Sequence, residues 1–378
     1  MKQYFAFQWH ITDSCDQRCE HCYIFSEDNH IPLAEMAWDD MLSVIKNCEE
    51  LCEQLNRIPY FYVTGGDPIL HKDFWRLLEL LKSKGIAFSI MGNPFHLTEE
   101  VCKRLHECGC ERYQLSIDGL RETHDQIRKP GSFDTTLEKI ACIRKAGIRS
   151  VIMTTVSGTN ITEIPAIIDL VVEHHVDVFA FARYCPTSSS QAAYRSFPLD
   201  GEKLTHFAAS PRPTKSDDFT GTPSIKSTHI EPDEYRQLLD VCWQKFEQYK
   251  DSGTTFNLKD HLWTLYLHDR GIFTVPGELD DAVIYDGCNC AINHLTILPD
   301  GHIYACRRMD SVVGNVFRDR LSDVFVSEKM DQYRDFEKFE KCSKCELMRF
   351  CRGCPAVAYG YTHNSYSSDP QCWKVIAS

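Results

Sequence analysis

Strand-like and helix-like segments alternate along the first half of this 378-residue chain, and this alternation limits the fold more than any other feature. The strand-like runs lie at 5–12, 60–64, 87–91, 112–117, 151–156 and 178–183, with amphipathic helical patterns at about 39–56, 72–84, 98–107, 133–146 and 162–174 between them. Six such repeats predict a parallel sheet with helices outside it. Because a closed barrel of this kind needs eight repeats, we expect an α/β fold with an open, partial (β/α)6 TIM-like barrel over residues 1–185.

The remaining residues divide into two parts with different patterns. Between 186 and 285 the sequence is first rich in Ser, Thr, Pro and Asp, and then carries a helical pattern at about 232–250. We therefore expect a long connection, with residues 186–230 as its least regular part. From 286 to 378, cysteines, glycines and short strand-like runs replace the helical periodicity, which predicts a small Cys-rich domain with β-hairpins and short helices.

Composition and charge narrow the class of protein. The net charge of −13 argues against nucleic acid as a partner. The sequence contains neither a signal peptide nor an apolar run of about 18 residues, so we expect a cytoplasmic protein without a membrane partner. In a reducing cytoplasm, 19 cysteines indicate metal binding rather than disulfide bonds.

The first group of cysteines directly follows the first predicted strand. Cys15, Cys19 and Cys22 have the spacing C-x3-C-x2-C, in a loop that a β/α barrel places at its active-site face. Three thiolates can hold three irons of a four-iron cluster and leave the fourth iron open to a small molecule. The alternative is a Cys3His zinc site that includes His21, although zinc sites more often group their ligands in C-x2-C pairs.

The second group contains eight cysteines near the C-terminus: Cys288, Cys290, Cys306, Cys342, Cys345, Cys351, Cys354 and Cys372. Eight thiolates are enough for two fully ligated four-iron clusters, whereas a pair of structural zinc sites is the alternative. In an extended segment, Cys288 and Cys290 would lie roughly 7 Å apart on one face. Either both bind one cluster, or one stays free and leaves an open iron that could hold a substrate thiolate.

Together, the two groups resemble those of radical SAM enzymes that carry a C-terminal SPASM domain, such as peptide maturases and the anaerobic sulfatase-maturating enzymes. The resemblance implies three 4Fe-4S clusters and S-adenosyl-L-methionine (SAM) as cofactors. It assigns the N-terminal cysteines to the SAM-cleaving cluster, with His21 at a variable position of the motif. It assigns the second group to two auxiliary clusters: an outer one held by Cys342, Cys345, Cys351 and Cys372, and an inner one held by Cys306, Cys354 and the 288–290 pair.

Other residues at the ends of the predicted strands are candidates for SAM contacts. The loop Gly65-Gly66-Asp67-Pro68 resembles the Gly-Gly-Glu-Pro loop that receives the SAM amino group, with Asp67 in place of Glu. A later stretch resembles the SAM-contacting segment of peptide-modifying enzymes, and the candidate contacts are Asn93, Ser116, Asp118 and Arg128. The alternative is that Asp118 caps a turn and Arg128 forms a surface ion pair. Further side chains are expected on the same rim: Thr154, Thr155, Arg183 and, as a candidate lining of the substrate cavity, Cys185.

The resemblance also implies a reaction. An electron from the N-terminal cluster splits SAM into methionine and a 5′-deoxyadenosyl radical, which abstracts a hydrogen atom from the substrate. We therefore predict a radical SAM oxidoreductase that acts in RiPP maturation, on a ribosomally made precursor peptide, and forms a thioether or another cross-link. A flavodoxin or ferredoxin would be the reductant. Because the chain starts directly at the barrel, we expect a separate leader-peptide-binding protein, or residues 186–230, to bind the leader.

Three alternatives accompany this prediction. A formylglycine-generating enzyme similar to sulfatase maturases would need a carboxylate base, for which Asp280, Asp281 and Asp286 are near in sequence. A small-molecule radical SAM dehydrogenase is the second alternative. The third is a zinc-stabilised binding protein without redox chemistry, which would contain zinc but no acid-labile sulfide.

Overall fold

The computed structural model describes residues 3–25, 33–186, 228–280 and 283–376. Most of the predicted connection at 186–230 lies outside these ranges, and its role in leader binding stays a prediction. Within the described ranges, a single sheet with helices packed against it confirms the predicted α/β class.

Six parallel strands form the centre of the described sheet and follow one another in chain order. They are β1 (Tyr4–His10), β2 (Ile58–Thr64), β3 (Ala87–Met91), β4 (Arg112–Ser116), β5 (Arg149–Val156) and β6 (Val178–Arg183). The helices between them are α1 (Trp38–Gln54), α2 (Phe74–Ser83), α3 (Glu99–Glu107), α4 (Arg121–Ile127), α5 (Ser132–Lys145) and α6 (Ile164–Glu173). Every strand and helix that the periodicity predicts in this half is present. The short helix α4 was not predicted.

The sheet continues beyond these six strands. β7 (Thr255–Asn257) pairs with β6, and β8 (His294–Ile297) pairs with β1, both in parallel. β8, β9 (His302–Tyr304) and β10 (Val312–Asn315) are antiparallel neighbours, so the described strands form one ten-stranded sheet. The C-terminal hairpins therefore extend the barrel sheet through β1. Sequence patterns missed this because strands of three or four residues are too short to show alternation.

Several central strands bury alternate side chains on one face of the sheet, and β6 is buried on both faces. Phe5, Phe7 and Trp9 of β1 are fully buried, and every residue of β6 is buried. A strand buried in this way on both faces is typical of a parallel sheet that is covered on each side. Each fully buried side chain of this kind contributes about 1.5–3 kcal/mol, so the core fixes where the strands end and where the following loops begin.

The helices after the connection complete the described structure. α7 (Pro232–Gln248) begins with a capping box between Glu231 and Glu234 and packs on α6, where Lys245 and Asp169 form an ion pair at 2.6 Å. The later helices are α8 (Leu262–Asp269), α9 (Leu321–Phe325), α10 (Glu328–Asp331) and α11 (Pro355–Thr362). The predicted helix at 232–250 is thus present. Among the described residues, no helix combines the length and apolar character that a membrane span requires.

Candidate metal centres and cofactor site

Cys15, Cys19 and Cys22 lie together in the loop that leaves β1 at the carboxyl edge of the sheet. Each is half-buried, and each lies near enough to the other two for their charges to interact. The Glu20 amide donates to the Ile127 carbonyl at 2.9 Å, which ties this cysteine loop to the end of α4. Burial raises the pKa of Cys15 and raises that of Cys19 to about 12, so thiolates at these two positions need a compensating positive charge. This donor set fits an iron–sulfur cluster.

Arg128 and Asp118 form a buried ion pair beside the cysteine loop. Arg128 Nε lies 2.6 Å from Asp118 Oδ2, and Arg128 Nη1 lies 3.8 Å from Cys19 Sγ. His21 Nε2 is 3.5 Å from the Asp118 carboxylate, and the Thr155 amide donates to the same carboxylate at 2.7 Å. Burial alone would raise the pKa of Asp118. The charge of Arg128 and, to a smaller extent, that of His21 outweigh burial and hold this pKa below its usual value. The surface ion pair considered as an alternative is therefore wrong, because the pair is buried and touches the cysteine loop.

Asn93 follows β3 and reaches the cysteine loop. Its Nδ2 donates to Cys15 Sγ at 3.2 Å and to Asp16 Oδ1 at 2.9 Å. Ser116, the last residue of β4, is half-buried. The structure thus brings Asn93, Asp118 and Arg128 to the cysteine loop, where their contacts are with the protein's own groups. Their contacts with SAM stay a prediction.

Gly65 and Gly66 pack the second loop against the backbone of the cysteine loop. A Cβ on Gly65 would lie 2.2 Å from the Thr12 carbonyl oxygen, and one on Gly66 would lie 2.3 Å from that of Ser14. The Gly66 amide donates to the Thr12 carbonyl at 2.8 Å, and the Asp67 amide donates to the Ser14 carbonyl at 2.7 Å. These glycines therefore position the cysteine loop through close backbone contact, which no larger residue would permit.

Asp67 is a buried acid beside the same loop. The amides of Asn93 and Ile69 approach its carboxylate, but no hydrogen bond of normal geometry reaches either oxygen from the described residues. Burial, followed by the charge of Asp16, raises the pKa of Asp67 to about 7. Ligand atoms of Asp67, Asp16 and His96 lie within 4.8 Å of one another. An unpartnered buried acid at this place fits a cationic group such as the SAM amino group.

Four cysteines gather in what we call the inner group: Cys288, Cys290, Cys306 and Cys354. Every pair among them lies close enough for one thiol to shift the ionisation of the other. Cys288 and Cys290 each strongly affect the ionisation of the other, so the C-x-C pair directs both thiols to one place. The four thiols form a complete donor set for one four-iron cluster.

A fifth cysteine, Cys185, lies against the inner group. It follows β6, is 2% exposed, and lies close enough to Cys354 for each thiol to affect the ionisation of the other. It packs with Cys354 and Met309 in a small buried cluster. From the sequence alone, Cys185 is a candidate only for the lining of the substrate cavity. The sequence feature that could have indicated this contact is the position of Cys185 shortly after a predicted strand.

The remaining four cysteines form what we call the outer group: Cys342, Cys345, Cys351 and Cys372. Cys342, Cys351 and Cys372 all lie near one another, and Cys345 lies near Cys342 and Cys372. The Cys351 thiol also donates to the His261 carbonyl at 3.2 Å. Because the His261 side chain lies near the Cys288 thiol, this residue adjoins both groups. The outer group is a second complete donor set.

Tyr23 and Arg307 join the cysteine loop to the inner group. Arg307 Nη2 donates to the Tyr23 carbonyl at 3.3 Å, and its guanidinium carbon lies 5.5 Å from the centre of the Tyr23 ring. Tyr23 directly follows Cys22, and its phenol lies near Cys185 and Cys306. Two cysteine groups far apart in sequence therefore meet at the carboxyl edge of the sheet. Neither Tyr23 nor Arg307 belongs to a motif that indicates this role in the sequence.

The other candidate residues named from the sequence lie in different environments. Arg183 was expected to face the rim, but it is buried and forms ion pairs with Asp260 at 3.0 Å and Asp369 at 2.6 Å. Thr154 is also buried. Asp280 and Asp286, considered as bases, are exposed, and Asp281 lies outside the described residues.

Comparisons with known proteins identify two domains in the chain. The Radical SAM superfamily matches residues 9–171, and the SPASM iron–sulfur cluster-binding domain matches residues 288–355. The AdoMet-dependent heme synthase of Methanosarcina barkeri is 24% identical over 369 residues, which cover 96% of this chain and 95% of that protein. The mycofactocin maturase MftC of Mycobacterium tuberculosis is 28% identical over 160 residues, 41% of this chain and 39% of that protein.

Solved structures share the fold over nearly the whole chain. SuiB of Streptococcus suis, bound to S-adenosylmethionine, superposes with a TM-score of 0.69 at 17% identity and covers 99% of this chain and 78% of that chain. The enzyme anSMEcpe with bound AdoMet superposes with a TM-score of 0.67 at 18% identity and covers 97% and 94% of the two chains. At these identities the likeness establishes the fold, a TIM-like α/β barrel that continues into a C-terminal cysteine-rich part.

Proposed function

Because the chain belongs to the radical SAM superfamily and carries a SPASM domain, it is an enzyme, and we propose that it modifies a ribosomally made peptide. The observation that carries this proposal is the arrangement of eleven cysteines in one three-thiol and two four-thiol groups. We assign one 4Fe-4S cluster to each group, and SAM to the cluster with the open iron. SAM bound there supplies, on reduction, a 5′-deoxyadenosyl radical that abstracts a hydrogen atom from the substrate.

The residues around the cysteine loop have distinct roles in this proposal. Cys15, Cys19 and Cys22 hold three irons, while Asn93 donates to the Cys15 sulfur and Arg128 approaches that of Cys19. Donors of this kind stabilise negative charge on cluster sulfurs. Asp67 would accept the SAM amino group, since its buried carboxylate lacks a partner of normal geometry in the described structure.

The inner group supports an electron-accepting role. Cys288 and Cys290 direct their thiols to the same place as Cys306 and Cys354, so both members of the C-x-C pair would bind the inner cluster. Four protein thiolates leave no open iron for a substrate thiolate. We therefore propose that a cluster held by these four thiols would supply an electron acceptor for a substrate radical, with the proton passing to solvent or a base as the new bond forms.

Two structural neighbours and one relative support a peptide as the substrate. SuiB has been solved with its precursor peptide SuiA, anSMEcpe has been solved with bound peptides, and MftC is named as a maturase. We propose a cytoplasmic reaction on a precursor peptide, with a flavodoxin or ferredoxin as the reductant and a separate protein that binds the leader. The product would carry a thioether or another cross-link.

Mass spectrometry of a precursor peptide tests this proposal. The reconstituted enzyme, SAM and reductant are incubated with a cysteine-containing precursor encoded beside the enzyme, and a matched precursor carries Ser at each Cys position. A thioether gives a product that has lost two hydrogens, and the Ser precursor stays unmodified. An aldehyde in place of a Cys side chain, trapped by a hydrazine, would instead identify formylglycine formation. An unmodified Cys precursor with uncoupled SAM cleavage would contradict the peptide proposal.

A small-molecule haem precursor is the second candidate substrate. The heme synthase of Methanosarcina barkeri aligns over 96% of this chain and 95% of its own length, whereas MftC aligns over 41% of this chain. Incubation of the reconstituted enzyme with iron coproporphyrin, followed by absorption spectroscopy and mass analysis of the tetrapyrrole, separates the two candidates. A SAM-dependent change of the tetrapyrrole would favour this second candidate.

A further inference from the structure

Three sets of contacts connect the end of β6 to one cysteine of the inner group, Cys354. The Cys185 and Cys354 thiols lie beside each other in one small buried cluster. Arg308 donates from Nη2 to the Arg183 carbonyl, and its Nη1 lies 3.9 Å from Cys354 Sγ. The Arg183 guanidinium donates to Asp369 Oδ2 at 2.9 Å, and the same oxygen accepts from the Cys354 amide at 2.7 Å. The position and environment of Cys354 therefore depend on the barrel as well as on its own domain.

The Cys354 sulfur receives two of these contacts in a dry environment. Cys185 is 2% exposed and Cys354 is 4% exposed, and both pack in one small cluster with Met309. Cys354 also precedes the first turn of α11, whose amides favour negative charge on the sulfur. In a medium of low dielectric constant, a thiol donor and a guanidinium change the energy of a thiolate far more than they would in water.

Cys185 lies outside the ligand set that the four inner thiols already complete. All six pairs of the inner group are close, and Cys185 lies beside two of its members, Cys306 and Cys354. A four-iron cluster takes at most one protein thiolate on each of its four irons, and the inner group already supplies four. The fifth thiol is therefore placed as a donor to a ligand.

We propose that Cys185, together with Arg308, raises the reduction potential of the inner cluster by donating to the Cys354 sulfur. Hydrogen bonds to cluster sulfurs offset the negative charge that an added electron brings, and they shift the potential upward. A higher potential makes the inner cluster a better electron acceptor. Cys185 is a positioning residue in this account. The inference rests on the proposed function, since it requires an iron–sulfur cluster at the inner group.

A redox titration followed by electron paramagnetic resonance tests the inference. The parent is a variant with Cys15, Cys19 and Cys22 changed to Ala, so that only auxiliary clusters remain, and the outer cluster serves as an internal reference. Cys185→Ala, Cys185→Ser and the control Cys242→Ala are added to this parent. Cys242 is equally buried and lies on α7, so its loss removes the same sulfur from a different part of the core.

We expect Cys185→Ala to lower the midpoint potential of one auxiliary cluster and to leave that of the other unchanged, with about eight irons retained. Cys185→Ser should give an intermediate potential because its hydroxyl can still donate, and Cys242→Ala should leave both potentials unchanged. Two unchanged potentials in Cys185→Ala would overturn the inference. A loss of iron, or a three-iron signal, would overturn it by showing that Cys185 is a ligand. A parent without iron at the inner group would overturn both the inference and the proposed function.

Discussion

Arg128 Nε lies 2.6 Å from Asp118 Oδ2, and the Asp118 carboxylate is fully buried. The same guanidinium approaches Cys19, so one side chain compensates a buried charge and contacts the cysteine loop. Removal of one member of a buried pair leaves the other charge without compensation. This lowers the free energy of unfolding far more than the loss of a surface pair does.

Arg128→Ala should therefore destabilise the metal-free protein by about 3–5 kcal/mol, because Asp118 stays buried without its partner. Urea unfolding monitored by circular dichroism measures this change. Arg121→Ala is the matched control, since Arg121 and Asp134 form an exposed pair with 57% and 59% of their side chains accessible. The control should change stability by about 1 kcal/mol or less, and an equally small effect of Arg128→Ala would contradict the account.

Gly66→Ala should displace the cysteine loop, because its Cβ would meet the Ser14 carbonyl oxygen at 2.3 Å. We expect the reconstituted variant to lose about four of about twelve irons and to lose SAM cleavage, while the auxiliary clusters remain. Iron and sulfide analysis measures the loss. Gly277→Ala is the control, since a Cβ there meets nothing within 4 Å of the described atoms. Full iron content in Gly66→Ala would show that the contact does not position the loop.

His124 should weaken the folded state in acid. Burial, followed by the charge of Arg128, lowers its pKa to about 4, whereas an unfolded histidine has a pKa of about 6.5. The unfolded chain therefore binds more protons between about pH 4 and 6.5, and stability is lost as the pH falls through that window. Because His124 Nδ1 accepts from the Asp118 amide at 3.1 Å, His124→Asn can keep the acceptor without the titration.

Urea unfolding of the metal-free protein at about pH 4.5, 5.5 and 7 tests this dependence, because these values cover most of the range between the folded and unfolded pKa of His124. Relative to the parent, His124→Asn should gain stability steadily as the pH is lowered. The exposed His106→Asn is the control and should follow the parent. A constant difference between the parent and His124→Asn across the three pH values would contradict the assignment.

Arg183→Met should destabilise the folded chain by at least about 3–5 kcal/mol, because Asp260 and Asp369 would stay buried without a cation. Met keeps much of the side-chain volume, so a large effect reports the lost charge and hydrogen bonds. The control is Arg320→Ala, at an exposed ion pair with Glu50. Unfolding free energies measure both, and a change below about 1 kcal/mol in Arg183→Met would contradict a structural role.

The sequence predicts the central part of the fold well, and for physical reasons. Strands β1 to β6 are long, apolar and separated by amphipathic helices, so their periodicity is visible without any partner. Cys15, Cys19 and Cys22 follow the first strand at close spacing, so the thiols of one loop must lie together. Such local patterns determine, without any distant partner, which side chains lie close together.

Features that depend on distant partners could not be predicted. Arg183 finds its carboxylates at Asp260 and Asp369, and nothing in the sequence near β6 indicates this pairing. Cys185 has no cysteine at metal-ligand spacing, so its contact with Cys354 appears only after the chain folds. β7 to β10 have only three or four residues each, and the sheet itself supplies the partners that make them strands.

The count of iron and sulfide after anaerobic reconstitution, combined with a dithionite-driven SAM-cleavage assay, tests the assignment of three clusters most directly. The account predicts about twelve irons with equal sulfide, falling to about eight when Cys15, Cys19 and Cys22 are changed to Ala. Formation of 5′-deoxyadenosine should be lost in the same variant. About four to eight irons in the parent, or zinc without sulfide at the inner and outer groups, would contradict it.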